Sequence, residues 1–213
     1  MDLAQLEREL HKRTLEPYTP WGQKQNNRWD SLTRFIYTTP AWDALKRAAA
    51  QQQPAGVDSR RFFAYAANRW FNFWSARGVE EIFIRLDGVQ AAKNPRDRLV
   101  DFSINGIRFD HKTSVFPKRY PYDLTYARYS PESLIEWLYL NQSAQGRMHF
   151  HNRLFVVLYD LQKGEHWKLR AELGWLKEKI ETYVCYFHPQ KLVRLNFENG
   201  QAALSDIIWA IRG

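Results

Sequence analysis

The stretch VDFSINGIRFDHKTS, residues 100–114, decides how the rest of the chain is read. Asn105-Gly106 is the preferred centre of a two-residue type I′ turn, because both positions need positive φ. The flanks, Leu99 to Ile104 and Ile107 to Ser114, are rich in strand formers, so the stretch predicts a β-hairpin. Its register follows by counting outward from the turn. Ile104 faces Ile107, Ser103 faces Arg108, Phe102 faces Phe109, and Asp101 faces Asp110.

Residues opposed across an antiparallel pair share a face, with Cβ atoms roughly 4.5–5.5 Å apart, and like charges there repel. Something must offset the repulsion between Asp101 and Asp110. Period-two geometry puts Lys112 on the face of Asp110, with Ile107 and Phe109 on the other. The expectation is a cluster of two aspartates and a lysine on one surface. Adjacent carboxylate oxygens suit a hard divalent cation, Mg²⁺ or Mn²⁺, and an ammonium beside them can orient water or stabilise an anionic transition state.

At Asp101 and the triplet Asp110-His111-Lys112 the sequence resembles the PD-(D/E)xK nuclease superfamily, the restriction-endonuclease-like fold. The resemblance implies Asp101 and Asp110 as metal ligands and Lys112 as the residue that helps position the attacking water. It adds the carbonyl of His111 as a further ligand. Val100 stands where the family often has proline. Many members carry another carboxylate on the first core helix; here that face shows Asn68, as a holder of metal-bound water, and Glu80 or Glu81 at the start of the first strand is the substitute, Glu81 preferred. The partner implied is DNA, and a homodimer is one arrangement for cutting both strands.

The family core runs helix, three strands, helix, strand, and the same order is legible around the hairpin. Asp58 or Ser59 caps a helix with Phe62, Phe63, Ala66, Trp70, Phe71 and Trp74 at three-to-four spacing, ending at Arg77 before Gly78. Residues 81–86, EIFIRL, read as the first strand, and a loop with Asn94-Pro95 leads to the hairpin. Ser130-Pro131-Glu132 starts a second helix, and the apolar run LFVVLY at 154–159 reads as a buried central strand. A helix over 167–184 and a strand over 192–197 follow, and Leu204, Ile207, Ile208 and Ile211 fit a helical face better than an alternating one. The fold expected is α/β (α+β), a mixed central sheet flanked by helices. It comprises a nuclease core over 58–213 and an N-terminal helical extension over 1–57.

Composition is consistent with that reading. The net charge is +8 and the pI about 9.6, which favours a polyanionic partner. Residues 93–128 hold eight Lys/Arg against four acids. Lys118, Arg119, Tyr120 and Arg128, interleaved with Tyr122, Tyr126 and Tyr129, read as a nucleic-acid-contacting loop leaving the active-site strand. The single cysteine, Cys185, rules out an intrachain disulfide framework. The polar start MDLAQLEREL is unlike a secretory leader, so a soluble, cytoplasmic protein with no membrane contact is expected. His149, His151, Cys185 and His188 offer four zinc-capable side chains as an alternative metal set. No Gly-rich phosphate loop or nucleophile elbow is present. The functional expectation is a Mg²⁺-dependent DNA endonuclease. The alternatives are a catalytically degenerate nucleic-acid-binding or assembly subunit of the same fold, and a protein-interaction module suggested by the nine tryptophans.

Overall fold

In a computed structural model, Asn105 and Gly106 take φ values of 49° and 83°, the pair of positive values that a type I′ turn requires. The turn joins β2 (Phe102–Ile104) to β3 (Ile107–Val115) in the counted register, Phe102 opposite Phe109, Ser103 opposite Arg108 and Ile104 opposite Ile107. The structure describes residues 2–21, 24–94, 99–141, 150–198 and 200–213.

The chain divides into two compact units, one of Met1–Glu81 with Arg170–Gly174, the other of Ile82–Leu169 with Trp175–Gly213. The first contains α1 (Leu3–Thr14), α2 (Asn27–Leu32), α3 (Trp42–Gln51) and most of α4 (Ser59–Ile84). Asp58 caps α4 by accepting the Arg61 N–H at 2.8 Å. The apolar face of this helix packs among the N-terminal segments, Trp29 lying 5.9 Å from Phe62 and 5.1 Å from Tyr65, and Trp42 5.2 Å from Trp70. Buried indoles need acceptors for their N–H groups. Trp70 and Trp74 donate to the carbonyls of Thr39 and Ile36 at 2.7 and 2.8 Å. Much of the tryptophan content thus holds the N-terminal segments onto α4. The first unit runs through Glu81 and takes in Arg170–Gly174.

Two features of α4 depart from the sequence reading. The helix continues through Gly78 to Ile84, so residues 81–84 are helical where a strand was expected. Gly78 acts as a seat: a Cβ there would meet Leu173 Cδ1 at 2.8 Å and Leu6 Cδ2 at 3.3 Å. Glu80 and Glu81 therefore lie on a helix, where the start of a strand was expected.

The second unit is built on a mixed six-stranded sheet in the order β1-β2-β3-β4-β6-β5. The first strand of the meander is β1 (Val89–Ala91), antiparallel to β2. After β3 come α5 (Leu124–Tyr129) and α6 (Pro131–Asn141), and then β4 (Arg153–Asp160), parallel to β3 and almost wholly buried, as its unbroken apolar run requires. A 3-10 segment, His166–Ala171, precedes α7 (Leu173–Cys185), where one long helix was expected. Then β5 (Val193–Asn196) pairs antiparallel with β6 (Ala202–Arg212), and β6 runs parallel to β4. The helical reading of residues 204–211 is corrected. With neighbours on both sides the strand buries apolar residues of both faces, and Asp-Ile-Ile-Trp-Ala-Ile loses the alternation by which strands are recognised.

Register fixes which residues share a face. Asp110 pairs with Arg153 and Lys112 with Phe155 across β3 and β4. That face carries a core of Phe155, Val157 and Ile207 packed with Leu134, Ile135, Leu138 and Tyr139 of α6. The opposite face presents His111 and Thr113, and there Phe83 stacks on Phe102 at 4.3 Å.

Candidate active site

Asp101 stands just before β2, and its backbone does not continue the ladder regularly. Its N–H donates to the carbonyl of Phe109 at 2.8 Å, although Phe109 already faces Phe102. Two residues of one strand therefore oppose one of the other, which is a β-bulge. The Asp101 carboxylate takes over where the strand ends: its Oδ2 accepts the His111 backbone N–H at 2.8 Å and lies 2.8 Å from His111 Nδ1. The side chain thus caps the ladder, and Asp101 engages His111 where a face-to-face pair with Asp110 was counted.

Burial pushes the Asp101 carboxyl up, but the hydrogen bonds from His111 and the charges of His111 and Lys112 outweigh it and hold the group below its ordinary range. An ionised Asp101 orients the imidazole through Nδ1. The ring is buried and lies against Phe102, at 5.9 Å between centroids. Its Nε2 has no hydrogen-bond partner among the described residues.

Asp110 occupies the other face. One of its oxygens accepts from Lys112 Nζ at 2.6 Å and the other lies 3.4 Å from Arg153 Nε. Asp110 and Arg153 are buried, whereas the Lys112 side chain is 43% exposed. The Arg153 guanidinium also lies over the Tyr139 ring at 5.1 Å. Strand pairing brings Arg153 here, since it is the register partner of Asp110. In the sequence Arg153 stands out only as the charged residue at the head of the LFVVLY run, and its pairing with Asp110 has no local signal.

Around the N-terminal end of β3, Leu99, Val100, Arg108, Phe150, His151 and Asn152 line a cleft of about 300 Å³. Arg108 lies two residues before Asp110 on the same strand face, and is exposed. Asn152 ties the cleft floor together: its side chain donates to the Arg108 carbonyl at 3.0 Å and accepts the Leu204 N–H at 2.8 Å. Sequence reasoning counted Arg108 among the cations around the hairpin but missed Asn152.

The remaining expected site residues are dispersed. Asn68 is buried and donates to the Thr19 carbonyl at 2.8 Å, so it anchors the N-terminal segment. Glu81 lies on α4, in the first unit. Tyr120 is 6% exposed and packs in the α6 core with its hydroxyl 2.9 Å from Ser133 Oγ, which removes it as a stacking platform for bases. Lys118, Arg119 and Arg128 are exposed, as are Tyr122, Tyr126 and Tyr129, and the first two tyrosines stack on each other at 4.2 Å. This loop, however, follows the far end of β3. At about 3.3 Å per residue, Val115 lies roughly 17 Å along the strand from Asp110. Arg96 and Arg98 of the basic segment lie outside the described residues.

The donors at Asp101 and Asp110 fit a hard cation in kind, because Mg²⁺ is commonly held by one or two carboxylates with water and substrate phosphate completing its shell. The charge balance bears on affinity: Asp110 already faces Lys112 and Arg153, and Asp101 already engages His111. Among the described residues these groups do not form a three-ligand cluster, nor do His151, Cys185 and His188, and His149 lies outside the described residues. Glu7, His11 and Glu172 do form such a cluster, in the first unit. No described helix is long and apolar enough to cross a membrane.

Comparison with protein-family models, with curated proteins and with solved structures gives no match.

Proposed function

We propose that the chain is a metal-dependent endonuclease of the PD-(D/E)xK kind, acting on DNA through Asp101, Asp110 and Lys112. The observation that carries the reading is the setting of the acid-x-Lys triplet. It lies at the start of β3, the third strand of an antiparallel meander that follows a helix, and β3 pairs in parallel with β4 after α6. This is the element order the resemblance implies, with Asp101 entering the neighbouring strand beside it.

Asp101 and Asp110, with the His111 carbonyl, would hold Mg²⁺ or Mn²⁺, which supplies Lewis-acid polarisation of the phosphodiester and acidifies a bound water. The chain's own residues do the rest. Lys112, 2.6 Å from Asp110 and half-exposed, places positive charge where negative charge grows on the phosphorus oxygens. Arg153 holds the second Asp110 oxygen from within the core and fixes the carboxylate for its task. Arg108, exposed on the same face, attracts the backbone phosphates, and the charge of +8 acts at longer range. Cleavage of duplex and single-stranded DNA with Mg²⁺ or Mn²⁺ tests the reading. Wild type should cut, and Asp110→Ala and Lys112→Ala should lose that activity; retained cleavage in either variant refutes the assignment.

Two observations favour a second reading, a noncatalytic DNA-binding subunit. Arg153 and Lys112 balance Asp110 with the protein's own charges, and Asn68 is occupied with Thr19. Salt-sensitive DNA binding that is indifferent to Mg²⁺ and to Asp110→Ala, with no cleavage, selects it.

A further inference from the structure

Glu7 and His11 are four residues apart on α1, so they stand one above the other on a single helix face. Glu172 reaches them from the residue between the 3-10 segment and α7. Each of the three half-buried side chains brings a ligand atom to within 4.8 Å of the other two. Glu7 is already oriented, because its Oε1 accepts the Gly174 N–H at 2.9 Å. His11 Nε2 and Glu172 Oε2 are 3.9 Å apart. That separation is too long for a hydrogen bond. It is a distance one cation spans, since two donors each about 2.0–2.2 Å from Zn²⁺ lie roughly 3–4 Å from one another.

We infer that Glu7, His11 and Glu172 form a binding site for a first-row divalent cation, Zn²⁺ by donor class, separate from the Asp101 and Asp110 carboxylates. An imidazole nitrogen with two carboxylates suits Zn²⁺ and is a poor match for Mg²⁺, which prefers an all-oxygen shell. Three protein ligands, none fully buried, leave a coordination position for water. The consequence is mechanical as well as chemical. Arg170–Gly174 belongs to the first unit although most of that unit is contiguous in sequence, and a cation at Glu172 fastens this segment to α1. Fixing a segment so distant in the chain raises the stability of the folded unit, because the ligands are brought together only there.

The test uses the full chain stripped with EDTA and then titrated with Zn²⁺ alone by calorimetry, and with Co²⁺ alone by visible absorption. The expected result is a saturable site that persists in Asp110→Ala, a Co²⁺ spectrum of low coordination number, and a rise in melting temperature of roughly 5–10 °C at a hundredfold excess over Kd. His11→Ala should abolish both binding and the rise. Glu172→Gln, which keeps the size of the side chain, should weaken binding strongly and guards against a loss caused by misfolding. Asp110→Ala should leave the Co²⁺ spectrum unchanged. Absence of saturable binding in wild type, equal binding by His11→Ala, or loss of the spectrum in Asp110→Ala each overturns the assignment.

Discussion

Replacing Arg153 by Met probes how the Asp110 carboxylate is held. Arg153 is 4% exposed and Asp110 7%, so removing the guanidinium leaves a carboxylate buried with less compensation. Breaking a buried ion pair from one side costs about 3–5 kcal/mol. Lys112 remains 2.6 Å from the other oxygen, and its half-exposed side chain can follow the charge, which puts the loss at the low end, about 3 kcal/mol. For a chain of this length each kcal/mol moves the midpoint by about 2–4 °C, so the expected fall is roughly 6–12 °C. Adding Asp110→Asn removes the stranded charge and should recover part of the loss. The assay is thermal unfolding of wild type, both single variants and the double variant, followed by circular dichroism. Coupling between the two sites of about 1–3 kcal/mol is expected. A shift below about 2 °C for Arg153→Met, or strict additivity in the cycle, refutes the claim that Arg153 holds Asp110.

Tyr120→Ala should cost about 3–5 kcal/mol by denaturant unfolding, because it opens a cavity beside α6, whereas Tyr129→Ala, at an 88% exposed position, should change stability by less than about 0.5 kcal/mol. Lys112→Met should lower stability by no more than about 1 kcal/mol while removing metal-dependent cleavage; a large loss of fold would assign the lysine a structural role. His166 Nδ1 accepts the Asp160 N–H at 2.8 Å, and burial lowers its pKa below the ordinary 6.5. Native protein therefore prefers the neutral ring. The stability this gives is complete above pH 6.5 and is lost as pH falls through the folded-state value, so unfolding midpoints should decline in that window in wild type and less so in His166→Asn. Asn105→Ala, at φ 49°, should destabilise the hairpin by about 1 kcal/mol, seen in the same unfolding assay.

The hairpin register was legible because Asn-Gly at 105–106 leaves one economical turn and Ile104, Ile107, Phe102 and Phe109 then fall together on one face. The bulge at Asp101 was not, since it depends on a hydrogen bond made where the ladder ends, which no side-chain pattern encodes. Local punctuation misled at Gly78: it reads as a helix stop, but a distant residue, Leu173, needs its missing Cβ. Burial between two neighbouring strands disguised β6 as a helix in the spacing of Leu204, Ile207, Ile208 and Ile211. At the site, Asp101, Asp110, His111 and Lys112 were all found in the sequence, but their partition onto two faces was not. Arg153 and Asn152 enter through parallel pairing across a long connection, a relation that one hairpin cannot supply.

Whether Asp101 and Asp110 hold a divalent cation is decided by anomalous scattering at the N-terminal end of β3 in crystals of the full chain soaked in Mn²⁺. An anomalous peak held by the Asp101 and Asp110 carboxylates, absent in Asp110→Ala, is expected. Manganese bound only at Glu7, His11 and Glu172, or no peak beside Asp110 at saturating cation, would contradict it.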